Sequence, residues 1–94
     1  MKKMVFTMKD TVAEIYLPPF LMRTIGEATR ATLATANNAE SILHTSPNDY
    51  ILYHIGSFDD NTGQYQMNES EFKIGSIQQI LDLEKNRQDE LKDL

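Results

Sequence analysis

At 94 residues the chain has the length of one domain, and a domain this small buries only about 60% of its unfolded surface, so its core is modest. A 40% apolar and 24% charged composition is that of a globular protein, and the absence of cysteine excludes a disulfide framework and a thiolate metal site. Fourteen acidic and nine basic residues give a net charge of −5, with no basic run longer than two, which excludes a protein that coats DNA by charge alone.

The opening MKK is followed by MVFTMKDT rather than by a long apolar stretch, so neither a signal peptide nor a spanning helix is expected, and no membrane partner. Residues 4–8 read as a short strand and 13–17 as another. Pro18 and Pro19 interrupt any ladder and suit a sheet edge or a bend. Thr24 to Glu27 spell a T-x-x-E capping box, in which the two side chains satisfy each other's backbone amides. Behind it Ile25, Ala28, Thr29, Thr32, Leu33 and Ala36 recur at helical spacing, which predicts an Ala-rich helix over 25–37, small enough on its buried side to lie close to a sheet. Asn37 and Asn38 suit the left-handed turn that ends many helices.

Residues 39–48 read as a loop closed by the turn SPND. Residues 50–58 are β-branched and aromatic, with Ile51, Tyr53 and Ile55 on one side and Tyr50, Leu52 and His54 on the other. Both sides are apolar, which predicts a central strand. Asp59, Asp60 and Gly63 belong to a hairpin turn, with Gly63 available for positive φ, and 64–67 pair back. Residues 68–73 are polar and carry no clear period. Ser76 and Gln79 form a second capping box, opening a helix over about 77–92 with Ile77, Ile80 and Leu81 on its first face and the charged tail EKNRQDELKDL behind it. The expected fold is α+β: a small antiparallel sheet, one Ala-rich helix packed on it, and an amphipathic, charged C-terminal helix. Residues 1–74 would form the core domain and 75–94 an interaction or dimerisation helix.

No catalytic constellation is present. DDNTG resembles the start of a calcium loop, but Gly63 comes one position early and Ser70 stands where the bidentate glutamate is required, so a hairpin turn explains it better. His44 and His54, ten residues apart, do not make a zinc motif. There is no nucleophile elbow and no phosphate-binding glycine loop. The chain reads as a non-enzyme without metal or cofactor. Tyr50, Tyr53, Phe58 and Tyr65 could stack on single-stranded bases, though a core this small claims most of its aromatics.

The order PPFLMRT, IGEATRATLATANN, SPNDY, LYHIGSFDDNTGQY resembles the small nonstructural protein of microviruses, the single-stranded DNA phages, in their gokushovirus branch. Members carry a Gly-x-Ala/Gly-Ile-Arg helix, a His-Pro-Glu-Asp turn and a Leu-Gly-x-Phe-Asp-Asp-x-x-Gly hairpin. The likeness spans about residues 17–66. Arg30 matches the helix arginine, Pro47 and Asp49 the turn, and Gly56, Phe58, Asp59, Asp60 and Gly63 the hairpin, whereas Ser46 replaces the turn histidine. The resemblance implies a nonstructural phage protein of the host bacterial cytoplasm, accessory to single-stranded DNA replication or to the switch toward packaging. Two expectations follow from the resemblance and the charge. One is contact with single-stranded DNA or a protein–DNA complex through Arg23 and Arg30. The other is an acidic adaptor, a homodimer joined through Ile77, Ile80 and Leu81, that recruits a viral or host replication protein without touching DNA.

Overall fold

Alternation in KKMVFTMKD gives the first strand two unlike sides: Met4, Phe6 and Met8 on one, Lys3, Val5, Thr7 and Lys9 on the other. A computed structural model, describing residues 1–92, places this strand inside a five-stranded antiparallel sheet. Strand β1 (Lys2–Asp10) pairs along one edge with β2 (Ile15–Tyr16) and β3 (Phe20–Met22), and along the other with β4 (Tyr50–Asp59). Strand β5 (Gln64–Ser76) closes the far edge against β4. The expected strand at 13–17 is shorter than its pattern: Asp10 Oδ1 accepts from the amides of Val12 and Ala13, and Glu14 takes a positive φ of 58°, so a turn occupies half of it. Pro18 and Pro19 lie between β2 and β3 on the sheet edge, where no ladder amide is needed.

Three helices, α1 (Ile25–Ala36), α2 (Ile42–Thr45) and α3 (Ile77–Lys92), cover the Phe6 side of the sheet. Phe6, Leu52 and Ile77 are 0% exposed, each burial contributing about 1.5–3 kcal/mol, and Ala28, Ala36, Leu43, Tyr50 and Ile80 complete the core. Thr32 joins Ala28 and Ala36 on the buried side of α1 because its hydroxyl donates to the Ala28 carbonyl at 2.8 Å, which leaves no polar group unsatisfied.

The helix ends depart from expectation in two ways. Thr24 Oγ1 accepts from the Glu27 amide at 3.0 Å, but the Glu27 carboxylate takes Arg23 Nε instead of the cap amide, so only half of the first box forms. Asn37 keeps a right-handed φ of −82° and donates to Leu33 O, so α1 ends without a left-handed residue. The second box is complete: Ser76 N donates to Gln79 Oε1 at 2.9 Å and Gln79 N to Ser76 Oγ at 3.1 Å. Within the predicted loop 39–48 a single turn, α2, is capped by Ser41 and seats Leu43 in the core.

The polar stretch 68–73 also departs: it belongs to β5. His54 pairs with Phe72 and Gly56 with Met67, so residues 68–71 bulge opposite Ile55 alone. Asn68 Nδ2 donates to the His54 carbonyl at 3.0 Å and takes over a missing ladder contact. The expected division after residue 74 does not mark the limit of the core, because α3 contributes Ile77 and Ile80 to it. Asp93 and Leu94, the end of the expected 75–94 segment, lie outside the described residues.

Candidate nucleic-acid interface

The helices leave the other side of the sheet open. Register assigns Lys3, Val5, Thr7 and Lys9 to it from β1 and Ile51 and Tyr53 from β4, but its centre is closed: Val5 and Thr7 are 2% and 3% exposed, and the Thr7 hydroxyl donates to Leu17 O at 2.8 Å. Phe58 faces Lys3 across the ladder, Tyr65 faces Phe58, and Lys73 faces Tyr53. Tyr16 faces Lys9 from the short edge strand. Four aromatic rings and three lysines thereby share one side of the sheet that no helix covers, although they come from four strands; Tyr16 and Tyr65 are exposed there and Tyr53 and Phe58 half-buried.

The rings form two pairs. Phe58 and Tyr65 lie 4.7 Å apart, centroid to centroid, at the hairpin end, with Tyr65 61% exposed. Tyr16 and Tyr53 meet edge to face at 6.1 Å across the middle of the sheet. Lys9 Nζ sits 5.6 Å from the Tyr16 ring. Tyr16 O–H donates to Glu71 Oε2 at 3.0 Å. That bond first, with burial and the carboxylate's charge behind it, holds the phenol above its usual range.

Basic residues lie on both sides, and Arg30 and Lys85 of the helical side have no carboxylate within salt-bridge distance among the described residues. Arg23 is paired with Glu27 at 3.0 Å and Arg87 with Glu84 at 2.7 Å, both on the helical side. Among the described residues Lys3, Lys9 and Lys73 have no carboxylate within salt-bridge distance. Among the described residues Glu71 is the one carboxylate that register and contact bring to this side. An acidic chain thus keeps a locally basic, aromatic face, whose chemistry matches a single strand: ammonium groups for phosphates and rings for unpaired bases.

The expected site residues fall elsewhere. Arg23 and Arg30 are exposed on the helical layer, and the Glu27 carboxylate neutralises Arg23. The structure does not bring them together with the lysines. Ile77 and Ile80, 0% and 5% exposed, and the partly buried Leu81 pack against the core of their own chain. This corrects their assignment to a dimer contact: the stripe is already covered from within. Tyr50 is a core residue, whereas Tyr53, Phe58 and Tyr65 are not, so the expectation that the core claims most aromatics holds for only part of the set.

The hairpin is built as the sequence implies. Gly63 has φ 73° and its amide donates to Asp59 O at 2.7 Å. Asp59 Oδ1 accepts from the Asn61 amide and Asp60 Oδ1 from the amino terminus at 2.7 Å, which lowers the Asp60 pKa. His44 Nδ1 lies 2.9 Å from Ala36 O. His54 packs 5.4 Å from Phe6, and a proton on Nε2 satisfies its contacts to Gly56 O at 2.9 Å and Asn68 Nδ2 at 3.4 Å. Among the described residues no group of three or more histidines, aspartates and glutamates is placed to hold a metal ion, and no helix is long and apolar enough to cross a membrane.

Sequence reasoning did not find Lys3, Lys9, Lys73, Tyr16 and Glu71. The signal for the first two was the alternation of β1, which sets them opposite Met4, Phe6 and Met8. Comparison with known proteins gives one family: the model described as Phage ORF5 protein matches residues 3–80. No curated protein and no solved structure matches the chain.

Proposed function

The chain belongs to the phage ORF5 protein family, and on that premise we propose that it is a non-enzymatic accessory of single-stranded DNA replication, or of the switch to packaging, in a microvirus of the gokushovirus branch. It works in the host cytoplasm and contacts single-stranded DNA through the open side of its sheet. The observation that carries this reading is the interleaving of Lys3, Lys9 and Lys73, without salt-bridge partners among the described residues, with Tyr16, Tyr53, Phe58 and Tyr65 on the side of the sheet that no helix covers. Ammonium groups draw the phosphates in and release counterions; the rings accept bases irrespective of sequence. Net charge −5 keeps the long-range attraction weak, which suits an accessory that must leave the genome before it is packaged.

Fluorescence anisotropy with a labelled oligo-dT at several salt concentrations tests it. Three phosphate contacts give a slope of log affinity against log salt of about −2 on single strands. The triple variant K3Q/K9Q/K73Q brings the slope close to zero, and R23Q/R30Q leaves it in place. No binding at low salt, or a slope that follows the arginines, overturns the assignment to this face.

A second reading, an acidic dimeric adaptor that recruits a viral or host replication protein, is favoured by β5. Residues 64–73 are exposed throughout, carry Tyr65, Met67 and Phe72, and among the described residues pair only with β4. A second copy or a partner's extended segment can add to such an edge by main-chain hydrogen bonds.

A further inference from the structure

A cup of about 620 Å³ opens on the same face, between the 68–71 bulge and the Pro18–Pro19 crossing. Its volume falls within the range of about 300–1,000 Å³ typical of small-ligand sites. Tyr16, Pro18, Ile55 and Met67 give it apolar walls, and Asn68 and Glu71 supply polar groups. Asn68 is tied to the backbone by its bond to His54 O, so the bulge that carries Glu71 is anchored at its start. The Glu71 carboxylate is in turn oriented by the Tyr16 hydroxyl. A carboxylate has about four lone-pair sites, and Tyr16 takes one, so both oxygens can still accept.

Resting on the reading of this face as a single-strand interface, we propose that the cup takes one base of the bound strand and selects guanine against thymine. A base in a single strand is already unpaired, so its pairing edge is free to enter. Guanine presents two parallel donors there, N1–H and an N2–H, matched to the two oxygens of Glu71 as a two-point hydrogen bond. Thymine presents one N–H between two carbonyls, and those carbonyls meet the carboxylate with like charge. The apolar walls and the Tyr16 ring provide the stacking surface. Lys9, over the Tyr16 ring, and Lys73, two positions beyond Glu71 on β5, are placed to hold the flanking phosphates, which offsets the repulsion between phosphate and carboxylate.

The experiment compares a labelled dT12 with the same strand carrying one central guanine, by anisotropy at fixed low salt. The wild-type chain binds the guanine strand about fivefold to 150-fold more tightly, the span of one two-point base contact. Glu71→Gln removes that preference while dT12 binding is kept or strengthened. Glu40→Gln, the same charge change at an exposed site on the helical side, retains the preference. If both strands bind the wild-type chain equally, or if E71Q keeps the preference, the cup does not read guanine, although the face still binds DNA. If neither strand binds, the interface reading falls and the cup proposal falls with it.

Discussion

Gly56 and Gly63 illustrate two different reasons for a residue without a Cβ. Gly63 sits at φ 73° with open space around it: an added Cβ meets nothing within 4 Å. Gly63→Ala therefore loses only the left-handed penalty, about 1–2 kcal/mol. Gly56 is buried in β4, and an added Cβ would lie 2.6 Å from Gln66 O on the neighbouring strand. Gly56→Ala must push β5 away, so it lowers the melting temperature more than Gly63→Ala does; the reverse order in paired thermal melts would contradict the close approach. Tyr16 offers a second check. Its raised pKa means that the Glu71 contact contributes stability fully at pH below the unfolded phenol value, and that this is lost as pH rises through the higher folded value. In an ultraviolet pH titration Glu71→Gln brings one tyrosine transition back down; an unchanged curve would refute the bond.

At the scale of elements, what could be read in advance was what local chemistry decides. The TIGE and SIQQ starts located α1 and α3, the β-branched run ILYHI located β4, and DDNTG located the hairpin. Two elements were hidden for physical reasons. The single turn α2 has too few residues for a period and is held by Ser41 and by burial of Leu43. The bulged half of β5 has no alternation because residues 68–71 face one partner residue, and Asn68 replaces a ladder contact. The candidate interface was hidden for a related reason. Alternation separates the two sides of each strand but does not say which side the helices cover, and only pairing across four strands brings the lysines beside the rings. The core role of α3 also follows from packing: Ile77→Ala should cost about 2–5 kcal/mol, measured by denaturant unfolding. Truncation before Gly75 should unfold the domain rather than merely separate two copies. A truncated chain with unchanged circular dichroism and melting temperature would argue against this.

As a whole the molecule has a covered side and an open side. Helices and most of the apolar core belong to the first; Lys3, Lys9, Lys73, the exposed rings of Tyr16 and Tyr65 and the half-buried Tyr53 and Phe58 belong to the second. The long outer edge of β5 runs beside the open side, so two copies joined there would present one continuous face twice as wide. Light scattering coupled to size exclusion is expected to give a mass near twice 10.8 kDa. Phe72→Lys, at an exposed position on that edge, should return it to the single-chain value. A mass of one chain at every accessible concentration would leave the face monomeric. The proposed DNA contact on the open side is tested most directly by nuclear magnetic resonance of the isotope-labelled chain titrated with oligo-dT. Binding on the open side shifts the amides of Lys3, Lys9, Tyr53, Phe58, Tyr65 and Lys73 and the ring protons of Tyr16, while Arg23, Arg30 and the exposed residues of α3 stay in place. Shifts concentrated on α1 and α3, with the open face unmoved, would contradict it.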